Sequence, residues 1–226
     1  MTQQATTGDQ AGTWSRIARR PAAVAGIGYT VAWLVSLVVG APAPSVAASG
    51  GQVVAAFAGR DGPVIVNLVL SEGIAAVALA VVALMTARAA RRTGARRAGL
   101  AVAVTGVAAA AVSWAELMMA AWLQFGPVAA GHATAAGTLW SAVQRIDGAK
   151  MFVLAVMAVA LAVLSLASAV LPRWLAPLAL LLAAGLVISG LGYVLLANAL
   201  SDAVFVSGVL LLAVVTTTGM TVQTSR

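Results

Sequence analysis

The sequence predicts an all-α protein, a polytopic transmembrane bundle of six helices with both termini cytoplasmic. Three observations lead there. Hydrophobic residues make up 62% of the 226-residue chain and charged residues only 8%, against about a quarter charged in an ordinary soluble domain, so little of the surface is built for water. Six apolar runs recur along the chain, each long enough at about 1.5 Å per residue to cross a hydrocarbon core of about 30 Å. The arginines cluster between these runs and fall mostly on alternate sides, the bias that orients membrane proteins. Strands are not expected, because the runs are continuous and rich in Ala and Leu where a barrel strand alternates over about ten residues.

The first 20 residues are polar and read as a disordered cytoplasmic tail ahead of the transmembrane domain, 21–221. The first helix is expected near 22–40. Its surroundings, RIARRPAAVAGIGYTVAWLVSLVVGAPA, also have the outline of a secretory signal, with a basic start and a small-x-small end at Ala41-Pro42-Ala43. The apolar stretch exceeds the roughly 7–15 residues of a signal core, and Pro42 and Pro44 are enough to stop a helix, so the segment reads as an anchor. In the loop that follows, VVAAFAG predicts a short helix lying at the interface.

The second and third helices are expected near 64–87 and 98–123, joined by the RTGARR turn. Arg88, Arg91, Arg92, Arg96 and Arg97 there, with Arg16, Arg19, Arg20, Arg173 and Arg226, outweigh Arg60, Arg145 and Lys150 on the opposite side. A net charge of +7 in a soluble chain would suggest nucleic acid, but arginines placed this way read as topology, and no nucleic-acid partner is expected. QFGPVAAGHATAAGTLWSAVQRID begins as a loop and is expected to run from about Gly137 into a fourth helix near 148–170, with Trp140 at the headgroups. The fifth helix, near 174–198, is expected to begin directly at Pro172, whose missing N–H costs nothing in a first turn. Arg173 and Trp174 then hold that turn at the headgroups. NALSD leaves room only for a hairpin turn before the sixth helix, near 202–220.

With this topology the polar residues can be placed by depth. Every acid except Asp9 falls toward the outer side: Asp61, Glu72, Glu116, Asp147 and Asp202. A charge at the bilayer centre costs about 2.5–3.5 kcal/mol on insertion scales, so such residues face the bundle interior or water. At 100° per residue, Thr105, Ala109, Ser113, Glu116, Ala120 and Gln124 share one small and polar stripe. Gln144, Asp147, Lys150, Met151 and Leu154 share another, which allows Glu116 to meet Lys150. The candidate polar cavity therefore comprises Asn67, Glu72, Ser113, Glu116, Asp147 and Lys150. Its plain alternative is a set of structural ion pairs with the outermost groups reaching water.

Other chemistry has little to stand on. There is no cysteine, which removes disulfides, thiolate metal sites and Cys nucleophiles. The single histidine, His132, lies in a Gly and Ala loop and reads as a surface residue; one histidine also rules out the paired-histidine metalloprotease motif. Met118, Met119, Met151 and Met157 read as adaptable packing rather than copper ligands. Gly185 to Ser189 has the small-xxx-small spacing that lets helices approach. No catalytic set is visible, so no enzyme activity, metal or cofactor is expected.

VLPRWLAPLALLLAAGLVISGLGYVL resembles the fifth helix of a bacterial six-helix integral membrane family known only as a domain of unknown function. Its members open this helix with Leu-Pro-Arg-x-Leu-Gly and close it with Gly-x-Gly-Tyr. Leu171, Pro172, Arg173 and Leu175 match, as do Gly190, Gly192 and Tyr193, while Ala176 replaces the glycine. RRPAAVAGIGYTVAW is similar to the family's first helix. The resemblance implies the six-helix bundle and no activity; where members carry polar aromatics or histidine at the start of the fourth helix, this chain has RIDGAK.

These observations point to a multi-pass protein of the cell membrane with a polar cavity in its extracytoplasmic half, binding or moving a small solute, ion or proton. The alternative is a membrane scaffold or regulatory subunit that binds a second copy or a partner membrane protein. Beyond the lipid bilayer, neither partner is specified by the residues.

Overall fold

The structure, a computed structural model, describes residues 21–40 and 43–222, and every regular element among them is helical. The tail 1–20, Ala41, Pro42 and Arg226 lie outside the described residues. Six helices have the length and apolarity to cross a membrane. They are α1 (Pro21–Val39), α3 (Asp61–Arg92), α4 (Arg96–Val128), α5 (Ala133–Ala167), α6 (Leu175–Leu195) and α7 (Val204–Thr221), with the short α2 (Gly50–Phe57) between α1 and α3. The spans run up and down in order, each packed on the next, and α7 returns to pack on α1. Short connections force this neighbour-to-neighbour arrangement.

The core is small-residue packing in its purest form on α3 and α4, where Ala83, Ala87 and Ala90 of one face Gly99, Val102 and Gly106 of the other. Without a hydrophobic force between helices in lipid, close approach and dispersion hold such contacts. Large apolar side chains such as Val104, Met118, Val156 and Val209 point outward, as helices facing lipid require. Ser189 meets Ser207 of α7 at 3.1 Å between hydroxyls, so the small-xxx-small face of α6 does mark a helix contact.

The expected fourth helix was too short. α5 begins at Ala133, ahead of both the apolar span expected from 148 and the helical lead-in expected from about Gly137, and at 35 residues it measures about 52 Å, well over a hydrocarbon core. α4 in turn runs on through a wide π-turn, Gln124–Val128, that accommodates Pro127. Only Ala129–His132 remain as loop, closed by Gly131 at φ +69. Gly126, Gly131 and Gly137 weaken a helix and so suggest a loop to about Gly137, whereas Ala133, Ala135 and Ala136 favour one and packing against α2 secures it. α2, capped by the Ser49 and Gln52 box, lies against the first turns of α5, with the Gly50 backbone on Gly137. A Cβ on Gly50 would run into the Ala133 carbonyl.

Trp140, expected at the level of the headgroups, is enclosed by protein there and does not face lipid. It is buried in this second cluster with Val53, Phe57, Val64, Leu123 and Val128. Its ring stands edge-on to Phe57 at 5.7 Å, and Nε1 donates to the Ser45 carbonyl at 3.0 Å. Trp140→Phe is expected to lower stability by about 1 kcal/mol, the net worth of the lost hydrogen bond, since the Ser45 carbonyl still accepts from the Ala48 amide. An unchanged thermal midpoint for the purified variant would show that water replaces the indole.

Two smaller corrections concern the turns. α6 starts at Leu175, with the Leu175 and Ala176 amides donating to the Pro172 and Arg173 carbonyls in a tight lead-in, so Pro172 precedes the helix instead of opening it. NALSD is not a bare hairpin: Leu196 ends α6 in a left-handed conformation, and Asn198–Ser201 form one helical turn before α7.

Candidate functional site

The residues that matter sit toward the end of the bundle opposite the arginine turn. Glu72 lies within a π-helical segment of α3, Val69–Ile74, in which Ser71, Glu72 and Gly73 are all buried. Glu72 reaches Lys150 from this wide turn, and the Ser71 hydroxyl donates to the Asn67 carbonyl at 2.9 Å. Such turns occur often at functional sites. Glu116 comes from the polar stripe of α4, with Ser113, Ala120 and Gln124 also buried as that stripe predicts. Trp114 and Met118 are exposed on other faces.

Lys150, on α5, closes the arrangement. Its Nζ lies 2.8 Å from Glu72 Oε2, 2.7 Å from Glu116 Oε2 and 2.9 Å from Asp147 Oδ1, one turn back on its own helix. An ammonium has three N–H groups, and three carboxylates from three helices surround it. The side chains are nearly out of reach of solvent, Asp147 the least so at 17% exposed and the others at 9–10%. The expected meeting of Glu116 and Lys150 is present, and Glu72 and Asp147 join it.

Two predicted members stand apart. Asn67 donates from Nδ2 to the Ser36 carbonyl at 2.9 Å and so ties α3 to α1. With its amide held on α1, it takes no part in the contacts around Lys150. Ser113 is buried one turn from Glu116, but its hydroxyl makes no hydrogen bond among the described residues.

The tyrosines were missed. Tyr29 is buried on α1 and within electrostatic reach of Glu72 and Lys150. Tyr193, on α6, is within reach of Asp147, Lys150 and Glu116. They are the chain's only two tyrosines and each ends a Gly-x-Gly-Tyr, Gly26 to Tyr29 and Gly190 to Tyr193. That repetition was the available signal. The glycines matter at the second copy: a Cβ on Gly148, next to Asp147, would lie 2.8 Å from the Gly190 carbonyl oxygen and 3.0 Å from the Val194 amide nitrogen. α5 and α6 therefore cross backbone to backbone beside the lysine.

Beyond the cluster toward the arginine turn, the interior is apolar and close-packed. Leu79, Ala109, Leu154, Ala158 and Leu161 are each at most 5% exposed. A void of about 10 Å³ further along is lined by Thr86, Thr218 and apolar side chains. Among the described residues no group of His, Asp and Glu has the arrangement of a metal site.

No family model, curated protein or solved structure matches this chain, so its fold and this cluster are described from its own residues.

Proposed function

We propose that this integral membrane protein binds and releases a proton at the buried centre formed by Glu72, Glu116, Asp147 and Lys150, and couples that event to the movement of a small solute or ion. The observation that carries the reading is the charge imbalance: three carboxylates share one ammonium. With all four ionised, two negative charges lack a counter-charge, in a place where even one is expensive. A proton offsets the excess without needing the space or ligand geometry of a metal ion. Asp147, the most exposed of the three, is the point of exchange with water at the loop-rich end, which the arginine distribution assigns to the extracytoplasmic side. The packed apolar interior beyond the cluster supports exchange with that side alone in this conformation.

A purely structural network makes a different prediction. On the proposed reading Glu116→Gln leaves stability within about 1 kcal/mol of the parent or raises it, because the amide oxygen still accepts from Lys150 while one uncompensated charge is gone. The functional arm is carbodiimide labelling of the full chain in liposomes, read by peptide mass mapping at the positions of Glu72, Glu116 and Asp147, because Asp9, Asp61 and Asp202 can react too. Labelling is expected to fade as the pH is raised, to diminish in Glu116→Gln and to vanish when Glu72, Glu116 and Asp147 are all replaced by their amides. If Glu116→Gln unfolds as readily as a broken ion pair and the parent takes no label at these positions at any pH, the centre only joins helices.

A further inference from the structure

A groove of about 730 Å³ runs along the outside of the bundle between α1, α3 and α4, lined by Val24, Gly73, Val77, Val81, Trp114 and Leu117 among others, almost wholly apolar. Its foot distinguishes it from ordinary lipid-facing surface. At 100° per residue Gly73, Val77, Val81 and Arg88 fall within an arc of roughly 80° on α3, so one stripe carries the groove wall and then an exposed arginine two turns below it. From Gly73 to Arg88 is about 22 Å along the helix. One leaflet's hydrocarbon is about 15 Å, half of the core, and an arginine side chain placed beyond it reaches the phosphates. α1 lines the same groove from its first residue, Pro21, and Arg19 and Arg20 directly precede it in the sequence.

We propose that the groove holds an acyl chain of one anionic phospholipid, with its phosphate on Arg88 and the end of the tail against Gly73 and Trp114. The apolar walls accept the tail of any phospholipid, whereas the arginine selects the headgroup by charge. Gly73 gives the groove its depth. A Cβ there would meet only Leu117 Cδ2, at an ordinary 3.7 Å, so a larger side chain can occupy the groove without parting α3 from α4.

Native mass spectrometry of the full chain, released from micelles holding equal phosphatidylglycerol and phosphatidylcholine, tests this. One phosphatidylglycerol is expected to stay bound with about fivefold preference, the size of one arginine's attraction near a charged surface. Arg88→Gln is expected to equalise the two lipids, Arg97→Gln on α4 to leave the preference intact, and Gly73→Leu to abolish retention of both. Val77→Trp fills the same groove one turn away and should repeat that loss if Gly73→Leu proves hard to fold. Retention without headgroup preference, or unaltered retention in both groove-filling variants, overturns the proposal. So does a dimer that Gly73→Leu dissociates, which would seat a second copy of the chain in the groove.

Discussion

Lys150→Met is expected to destabilise the protein by about 3–5 kcal/mol, the cost of removing one partner from a buried ion network. Lys150 brings together Glu72 of α3, Glu116 of α4 and Asp147 of α5. Without it, three carboxylates face one another in a site almost closed to solvent, and their repulsion acts across the contacts that hold these helices together. Thermal or detergent-driven unfolding of the purified protein reads the loss. The same change made together with Glu72→Gln, Glu116→Gln and Asp147→Asn is expected to recover most of it, since a buried network replaced as a whole by neutral groups often costs little. A single Lys150→Met variant as stable as the parent would mean that the carboxylates reach water or protons freely, and would remove the basis for a closed centre.

The second large effect is steric. Gly148→Ala is expected to cost about 1–3 kcal/mol and to displace Asp147, because the added Cβ would lie 2.8 Å from the Gly190 carbonyl oxygen and equally close to the Val194 side chain. Backbone at a helix crossing cannot swing aside as a flexible side chain does, so α5 and α6 must separate. Gly28→Ala is the control: nothing lies within 4 Å of a Cβ there, and the exchange of glycine for alanine inside a helix is worth about 1 kcal/mol in the favourable direction. Unfolding midpoints that fall for Gly148→Ala and hold or rise for Gly28→Ala are the expected result. Equal midpoints would show that the crossing has slack and does not position Asp147.

The two substitutions act on the same place by different physics, and their combination bears on mechanism. Gly148 sets how closely Tyr193 and its helix approach the acids, while Lys150 sets their charge balance. If proton binding at the centre is coupled to helix movement, the α5 and α6 crossing is the stiffest contact beside it and the one whose loosening should alter that coupling.

How much of this was legible beforehand depended on the kind of signal. The six spans follow from length and apolarity alone, because an uninterrupted run of about 20 apolar residues has few places to go except a bilayer. The inward face of α4 was equally readable. Ser113, Glu116, Ala120 and Gln124 recur at helical spacing, and all four are buried. The pairing of Glu116 with Lys150 followed from the helical spacing that places each on the polar face of its own helix at a similar depth.

Other features had no local signature. Residues 133–136 read as the end of a loop that passes into the helix near Gly137, yet they are helical, with α2 packed upon them. Asn67 looked like part of the centre because depth was known and direction was not; the structure turns it to the Ser36 carbonyl. The π-turn at Val69–Ile74 cannot be read from VLSEGI, because what favours it is the contact Glu72 makes with Lys150 on another helix.

By itself, then, the sequence determined the membrane class, the number of spans and the helix faces on which the charged residues lie. These depend on transfer free energies and on a fixed 100° step per residue, both local properties. Only the tertiary structure decided that Glu72, Glu116 and Asp147 share one ammonium, since that needs the rotation and height of three helices at once. Those are set by how closely backbones pass where glycine and alanine leave no side chain to hold them apart, and no single segment contains that information.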